Sequence, residues 1–304
     1  MLSLPSDLQV CEVGPRDGFQ SQSQILPTHK KVEIIESLIK AGFELIQVTS
    51  FVHPKSVPQL ADAEDLLAAL PKLPQVNYNV LSLNKKGVER ALASKADQIE
   101  VSVSASNEHG KKNTGMPREK ARAEAQEMAR MCLDEDRCVR ASIQCAFGCF
   151  LQGEISEQLI KDMVGEIFQS GVWDIVLADT PGLAHPLSIS RLVSALFQDF
   201  PHIRLGLHLH DTRGLGLANA LTALQLGVNN LDTSLGGMGG CPFLPNAAGN
   251  IPSEDTLYLC DKMGIQTGLD IHTLLETTQK LEVLLDKTLP AKIKKNTMEK
   301  DLCS

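Results

Sequence analysis

QVCEVGPRDGFQ, residues 9–20, is a short apolar strand pattern that runs directly into a Gly-Pro-Arg-Asp-Gly turn. Doubly wound sheets open with the same kind of strand, but there it leads into a G-x-G-x-x-G turn at a helix N-terminus. No such turn follows residue 13. Working outward, seven more strand-like runs appear at 45–49, 77–81, 98–103, 140–144, 174–177, 204–209 and 230–233. Helix-like periodicity fills the intervals at 29–41, 60–69, 85–93, 118–135, 157–170, 188–199, 217–226 and 254–263. Strand and helix in steady alternation imply a parallel sheet with crossover helices. Eight units over about 250 residues predict an α/β protein of the (β/α)8 TIM-barrel type.

The barrel is expected to occupy about 8–264. An additional C-terminal segment follows: a helix over 271–284, then a Lys-rich, weakly structured end over 292–300. No linker or internal repeat divides the 304 residues, so one catalytic domain is expected over 1–304. Thr28 and Ser156 read as helix N-caps, and Gly42, Gly171, Gly227 and Gly264 as residues just past helix ends.

With 43% hydrophobic and 22% charged residues, the chain has material for a large core. That excludes disorder, a fibrous repeat and a small disulfide scaffold. A net charge of −8 argues against nucleic acid as a partner, because such binding rests on neutralising phosphates. No apolar run approaches the roughly 20 residues needed to span a bilayer, and MLSLPSDLQVCEVG lacks a secretory or transit pattern. The eight cysteines show no paired zinc spacing and read as reduced thiols, so a cytoplasmic protein is expected.

In a barrel, polar residues at the C-terminal ends of strands converge on one mouth. Here those ends carry Glu12, Arg16 and Asp17 (strand 1), Gln47, Thr49 and Ser50 (strand 2), and Ser102, Ser104 and Ser106 (strand 4). Strand 6 ends in Asp179-Thr180, strand 7 in His208-Leu209-His210-Asp211. Strand 8 leads through Gly236-Gly237-Met238-Gly239-Gly240-Cys241-Pro242 to Asn250. Residues i and i+2 of a strand share a face, so His208 and His210 aim together into the mouth. An isolated His-x-His is usually two satisfied polar side chains. Asp17 on the adjoining strand end turns the pair into a candidate cation site. Nitrogen and oxygen ligands without thiolate suit Mg²⁺ or Mn²⁺, with Zn²⁺ and an iron triad left open. Arg16 beside that carboxylate reads either as an ion pair or as the second half of an oxyanion trap. The glycine run at 236–240 reads as a phosphate cradle or, equally, as a mobile lid carrying Cys241.

EVGPRDGFQ (12–20), TSFVHPKSVPQ (49–59), LHLHDTRGLGLAN (207–219) and LGGMGGCPFLPNAAGN (235–250) resemble the 3-hydroxy-3-methylglutaryl-CoA lyases, metal-dependent TIM-barrel enzymes. The resemblance runs from about residue 9 to 284. It implies cleavage of 3-hydroxy-3-methylglutaryl-CoA to acetyl-CoA and acetoacetate. It also implies that Asp17, His208, His210 and Asn250 hold a divalent cation, Mg²⁺ first and Mn²⁺ second. Arg16 would stabilise the enolate, Cys241 would ride on the lid, and Cys241 or a histidine would supply the acid. Asp179 and Glu254 match acidic residues of the family's site. Either His208, Asp17 or Asp179 would be the base. Gln47, Ser104, Ser106, Lys111 and Asn113 join Arg16 as candidate acyl-CoA contacts. The extra helix reads as the element of a homodimer.

Two departures accompany the resemblance: Gln47 stands where the family usually has a glutamate, and Phe19 where leucine is usual. Glutamine keeps shape and hydrogen bonding but cannot ionise. The rival readings are therefore a related lyase or condensing enzyme for another acyl-CoA, and a barrel that binds a CoA ester without turnover.

Overall fold

A computed structural model describes residues 4–240 and 249–294. Eight parallel strands close in sequence order: β1 (Gln9–Glu12), β2 (Leu45–Ser50), β3 (Asn77–Ser82), β4 (Gln98–Ser104), β5 (Cys138–Gln144), β6 (Asp174–Ala178), β7 (Arg204–His208) and β8 (Asn230–Thr233). β1 bonds both β2 and β8, which completes the barrel. Outside lie α1 (Thr28–Lys40), α2 (Ala63–Ala69), α3 (Lys85–Leu92), α4 (Asn107–Thr114) and α5 (Arg118–Asp134). They are followed by α6 (Glu157–Gln169), α7 (Pro186–Asp199), α8 (Gly216–Gln225), α9 (Ser253–Met263) and α10 (Ile271–Leu285).

LIQVTS in β2 shows why the chain folds this way. Every residue of the strand is buried, as a parallel strand covered on both faces requires. Ile46 and Val48 join Leu38 of α1 and Leu66 of α2 in the large apolar cluster between sheet and helices. Gln47 takes the alternate face, toward the barrel axis. Fully burying each such aliphatic side chain is worth roughly 1.5–3 kcal/mol, and a one-residue slip would exchange the two faces. Deeper on the axial side, Cys11, Val13 and Leu45 form a small separate cluster.

Ser156 caps α6 by accepting from the Leu159 amide at 3.2 Å. Gly42, Gly171, Gly227 and Gly264 all adopt positive φ past their helices. Thr28 is not a cap. Pro27 holds that position without a side-chain bond, and the Thr28 hydroxyl instead donates to Asp62. The helix expected over 60–69 is divided into a 3-10 turn at Pro58–Leu60 and the shorter α2. Three further elements escape the periodicity: α4, whose NEHGKKNT has no apolar stripe, the single π-helical turn at Gly14–Gly18 and the 3-10 turn at Leu235–Gly237, both too short to show one.

α10 packs on α1 and α9 of its own chain, burying Leu274, Leu275 and Leu281. The tail expected to be weakly structured is tied down where it is described. The amides of Lys292 and Ile293 donate to Asp255, and Lys294 pairs with Glu282 at 2.7 Å. Among the described residues, no helix is long and apolar enough to cross a membrane.

Candidate active site and metal centre

The π-helical turn after β1 has a local cause. Pro15 fixes its start, and the Phe19 amide reaches back five residues to the Gly14 carbonyl, the spacing that defines a π turn. Gly14 is required there, since a Cβ would lie 2.6 Å from Glu12 Oε1. The turn delivers Arg16 and Asp17 side by side into the barrel mouth, both buried, and their side chains pair directly. Gln20 donates to Asp17 Oδ1 at 2.8 Å, and Asn250 Nδ2 to Asp17 Oδ2 at 2.7 Å. Burial works to raise the Asp17 carboxyl, but the Arg16 guanidinium and the two nearby imidazoles more than offset it, so Asp17 stays below its usual range.

From β7, His208 and His210 place their Nε2 atoms 3.2 Å apart. His210 pairs by an isolated bridge with Asn250 on the returning strand, and its Nε2 is 3.9 Å from Asp17 Oδ2. His208 lies in register with Asp232 of β8, whose Oδ2 is 3.1 Å from His208 Nδ1. That carboxylate favours a proton on Nδ1 and turns the Nε2 lone pair toward His210. Burial, then repulsion by His208, pushes His210 down to about 4, which keeps it neutral at physiological pH. Gly239 closes the other side at φ +136, and a Cβ there would fall 2.3 Å from Asn250 Nδ2.

Ligand atoms of Asp17, His208 and His210 all lie within 4.8 Å of one another. Asn250 Oδ1 is buried and accepts no hydrogen bond from the described residues. A neutral imidazole, a second with its lone pair fixed, an ionised carboxylate and a spare amide oxygen form a donor set that fits a divalent cation.

Opposite this cluster, the barrel interior carries a buried polar chain that follows the sheet register. Arg16 Nε donates to Gln47 Oε1. Gln47 Nε2 donates to Asn79 Oδ1 and to Glu100 Oε2, each at 2.8 Å. Asn79 passes the sequence on to Gln98 at 2.9 Å, and Gln98 to Asp174 at 3.2 Å. Arg140, completely buried, reaches Glu100 at 3.3 Å and Asp232 at 2.6 Å, and Asp232 holds His208. Gln47 lies opposite Asn79, Asn79 opposite Gln98, and Glu100 opposite Arg140 in the strand pairing. The chain of contacts therefore combines register neighbours with reaches across the interior, from Gln47 past β3 to Glu100 and from Arg140 of β5 to Asp232 of β8.

Other expected residues are placed differently. Both Asp179 oxygens accept loop amides, from Leu183 at 2.8 Å and Ala184 at 3.0 Å, and burial pushes its carboxyl up to about 6. Glu254 stands at the start of α9 and accepts from the Gly236 amide at 2.8 Å and from Thr278. It braces the glycine turn and lies outside the metal cluster. Burial pushes it up to about 7. Glu12 turns away from the mouth to hold Leu235 and Ser253 under α9, and burial raises it to about 8. Ser104 and Ser106 use their hydroxyls to start α4: Ser106 accepts from the His109 amide at 3.1 Å, and Ser104 Oγ from the Ser106 amide at 3.1 Å. Lys111 is exposed and pairs with Glu108. Asn113 and Ser104 border a void of about 10 Å³, room for one water and not for an acyl chain. Cys241 lies outside the described residues. Sequence reasoning missed Gln20, Asn79, Glu100, Arg140 and Asp232. The strand-register alternation that exposed His208 and His210 could have nominated Glu100, Arg140 and Asp232, since a charged residue inside a buried strand needs a partner.

Fold and site together define a (β/α)8 barrel with a candidate divalent-metal centre and a buried guanidinium at its C-terminal mouth. Residues 7–281 match the HMGL-like family. The chain belongs to that family. It is 36% identical over 290 residues to the cytoplasmic 3-hydroxy-3-methylglutaryl-CoA lyase of Mus musculus, covering 95% of this chain and 84% of that one. It is 38% identical over 274 residues to the mitochondrial hydroxymethylglutaryl-CoA lyase of Bos taurus, covering 90% and 84%. Among solved structures, the hydroxymethylglutaryl-CoA lyase of Pseudomonas aeruginosa superposes with a TM-score of 0.93 at 33% identity, over 98% of this chain and 99% of that one. An HMG-CoA lyase from Acinetobacter baumannii, in complex with coenzyme A and 3-methylmalate, gives 0.90 at 36% identity, over 94% of both chains.

Proposed function

We propose that this protein is a divalent-cation-dependent carbon–carbon lyase that cleaves 3-hydroxy-3-methylglutaryl-CoA into acetyl-CoA and acetoacetate. The observation that carries the reading is the juxtaposition of Arg16 with the Asp17/His208/His210/Asn250 cluster. A divalent cation bound by those four residues, with Mg²⁺ preferred, supplies Lewis acidity to substrate oxygens.

The chain's own groups divide the remaining work. Arg16 is held from two sides, through Nε by Gln47 and through Nη1 by Asp17, and neither contact uses Nη2. Nη2 is the donor for the thioester oxygen that becomes an enolate as the carbon–carbon bond breaks. The three candidate bases separate by their surroundings. Asp17 is held too low by Arg16 and the imidazoles, and His208 has Nδ1 committed to Asp232 and Nε2 to the cation cluster. Asp179 is the third candidate: burial pushes its carboxyl up to about 6, and both its oxygens accept loop amides at the mouth. Cys241 is assigned as the acid that returns a proton to the enolate carbon, on its place in the glycine-rich motif.

The test is incubation of purified protein with 3-hydroxy-3-methylglutaryl-CoA and Mg²⁺ or Mn²⁺, with and without chelator. Acetoacetate is expected only when metal is present. No acetoacetate under any metal condition removes the reading, and cleavage confined to another acyl-CoA replaces the substrate. The six described cysteines are all free, which suits a reducing compartment, and the cytoplasm is the proposed location.

A further inference from the structure

We propose that Glu100 is a positioning residue for the reaction, acting on Arg16 through the neutral amide of Gln47. The inference rests on the lyase reading above and goes beyond it, to how a chain with glutamine in β2 keeps its guanidinium aimed.

The argument begins with the amide. Gln47 is completely buried, and each of its polar atoms has a fixed task. Its oxygen accepts from Arg16 Nε, while its nitrogen donates to Glu100 Oε2 and Asn79 Oδ1. A flipped amide would set NH₂ against the guanidinium and oxygen against a carboxylate, so the network permits one orientation only. Glu100 enforces that orientation most strongly, because a bond to an ionised acceptor is about twice as strong as a neutral one. Only 3% exposed, Glu100 has little solvent to turn toward. Removing the negative charge frees the amide to turn, and Arg16 then loses the acceptor that fixes its Nε.

The same carboxylate oxygen is also reached by Arg140 Nη1. A merely structural Glu100 would serve Arg140 alone, and its loss would be felt in stability. Arg140 keeps Asp232 and Asp174 as further partners, so the two roles can be separated. Replacing Gln47 by glutamate looks like a restoration of the family's usual residue. In this barrel it would press a second carboxylate against Glu100 and against Asn79 Oδ1.

The experiment is a charge-exchange cycle on the full chain, with steady-state kinetics at saturating Mg²⁺ and thermal unfolding of the metal-free protein. Glu100→Gln is expected to lower kcat at least tenfold with KM changed less than threefold, because Arg16 acts on charge that develops in the transition state. Gln47→Glu alone is expected to lose activity as well. Gln47→Glu/Glu100→Gln, which moves the carboxylate from β4 to β2, is expected to recover to within fivefold of wild type. Glu100→Asp withdraws the shared oxygen from Gln47 and Arg140 but keeps a negative charge near Arg140, which retains Asp174 and Asp232, so it stands in if Glu100→Gln fails to fold. It should lose kcat with an unfolding midpoint near wild type. Full kcat in either Glu100 variant, or a double variant no more active than Glu100→Gln, overturns the proposal. A silent wild type removes the lyase reading and this inference together, whereas an active wild type with unaffected variants removes this inference alone.

Discussion

Around β7, β8 and the turn after β1, the chemistry-bearing side chains are neighbours in the chain, adjacent or two residues apart. Across β2, β3, β4 and β5, polar side chains from four separate strands meet in the interior, and among them only Gln98 and Glu100 of β4 are close in the chain. The first region presents groups to a ligand and the second presents groups to one another. The ligand-facing side leaves an amide oxygen of Asn250 unclaimed, while Gln47 on the opposite side has both polar atoms bonded. A catalytic mouth thus needs both a set of donors left open and a set bonded to hold the first in place, and in that second set Arg140 Nε meets Asp174 Oδ1 only as an ion pair at 3.7 Å.

The largest effect is expected on the open side. His210→Ala should abolish metal binding and turnover together, and unchanged metal content after dialysis against Mn²⁺ would break the ligand assignment. Arg16→Gln should leave metal content intact but lower kcat by 10²–10³, since one oxyanion donor is worth roughly 3–4 kcal/mol. Equal losses of metal and kcat would merge the two functions that the comparison keeps apart.

On the closed side the main readout should be stability. Arg140→Met strands Glu100 and Asp232 without their shared cation, and breaking a buried pair from one side costs about 3–5 kcal/mol. Denaturant unfolding checks this, and a change below 1 kcal/mol would show that the interior network is not closed.

A pH experiment sharpens the contrast further. Glu254 is raised from 4.5 to about 7 by burial, so the folded state holds its proton where the unfolded state has lost it. Its contribution to stability is complete below pH 4.5 and is lost as pH rises through 7. Glu254→Gln should therefore flatten that part of the stability profile, and an unaltered slope would place the titration elsewhere. The smallest effect is reserved for α4. Ser106→Ala should cost about 1 kcal/mol as a lost helix cap, with KM for the CoA ester unchanged. A raised KM would return Ser106 to the substrate contacts.

Much of the ligand-facing side was legible because strand alternation converts an i, i+2 spacing into a shared direction. His208 and His210 were legible by that spacing, with Asp17 on the adjoining strand end to mark them as a cation site. Asp17 and Arg16 were legible as types, although the π-helical turn that pairs them is too short for periodicity to reveal. Ser104 and Ser106 were ambiguous for a physical reason: a serine at a strand end can serve a ligand or start a helix, and composition does not distinguish the two. Glu254 and Glu12 were legible as acids at the right end of the barrel. Which side of the sheet they serve depends on the helix packed above them.

Taken alone, the chain determined its eightfold alternation, its barrel class and the residue types at the open mouth, because these rest on local period and spacing. Tertiary structure alone decided which carboxylate stands behind Gln47, the amide that Arg16 bonds. Glu100 stands 53 positions from Gln47 in the chain, and only barrel closure and strand register bring them to 2.8 Å. Pairing across a closed sheet is set by the stagger of whole strands, a collective quantity that no short stretch of residues encodes.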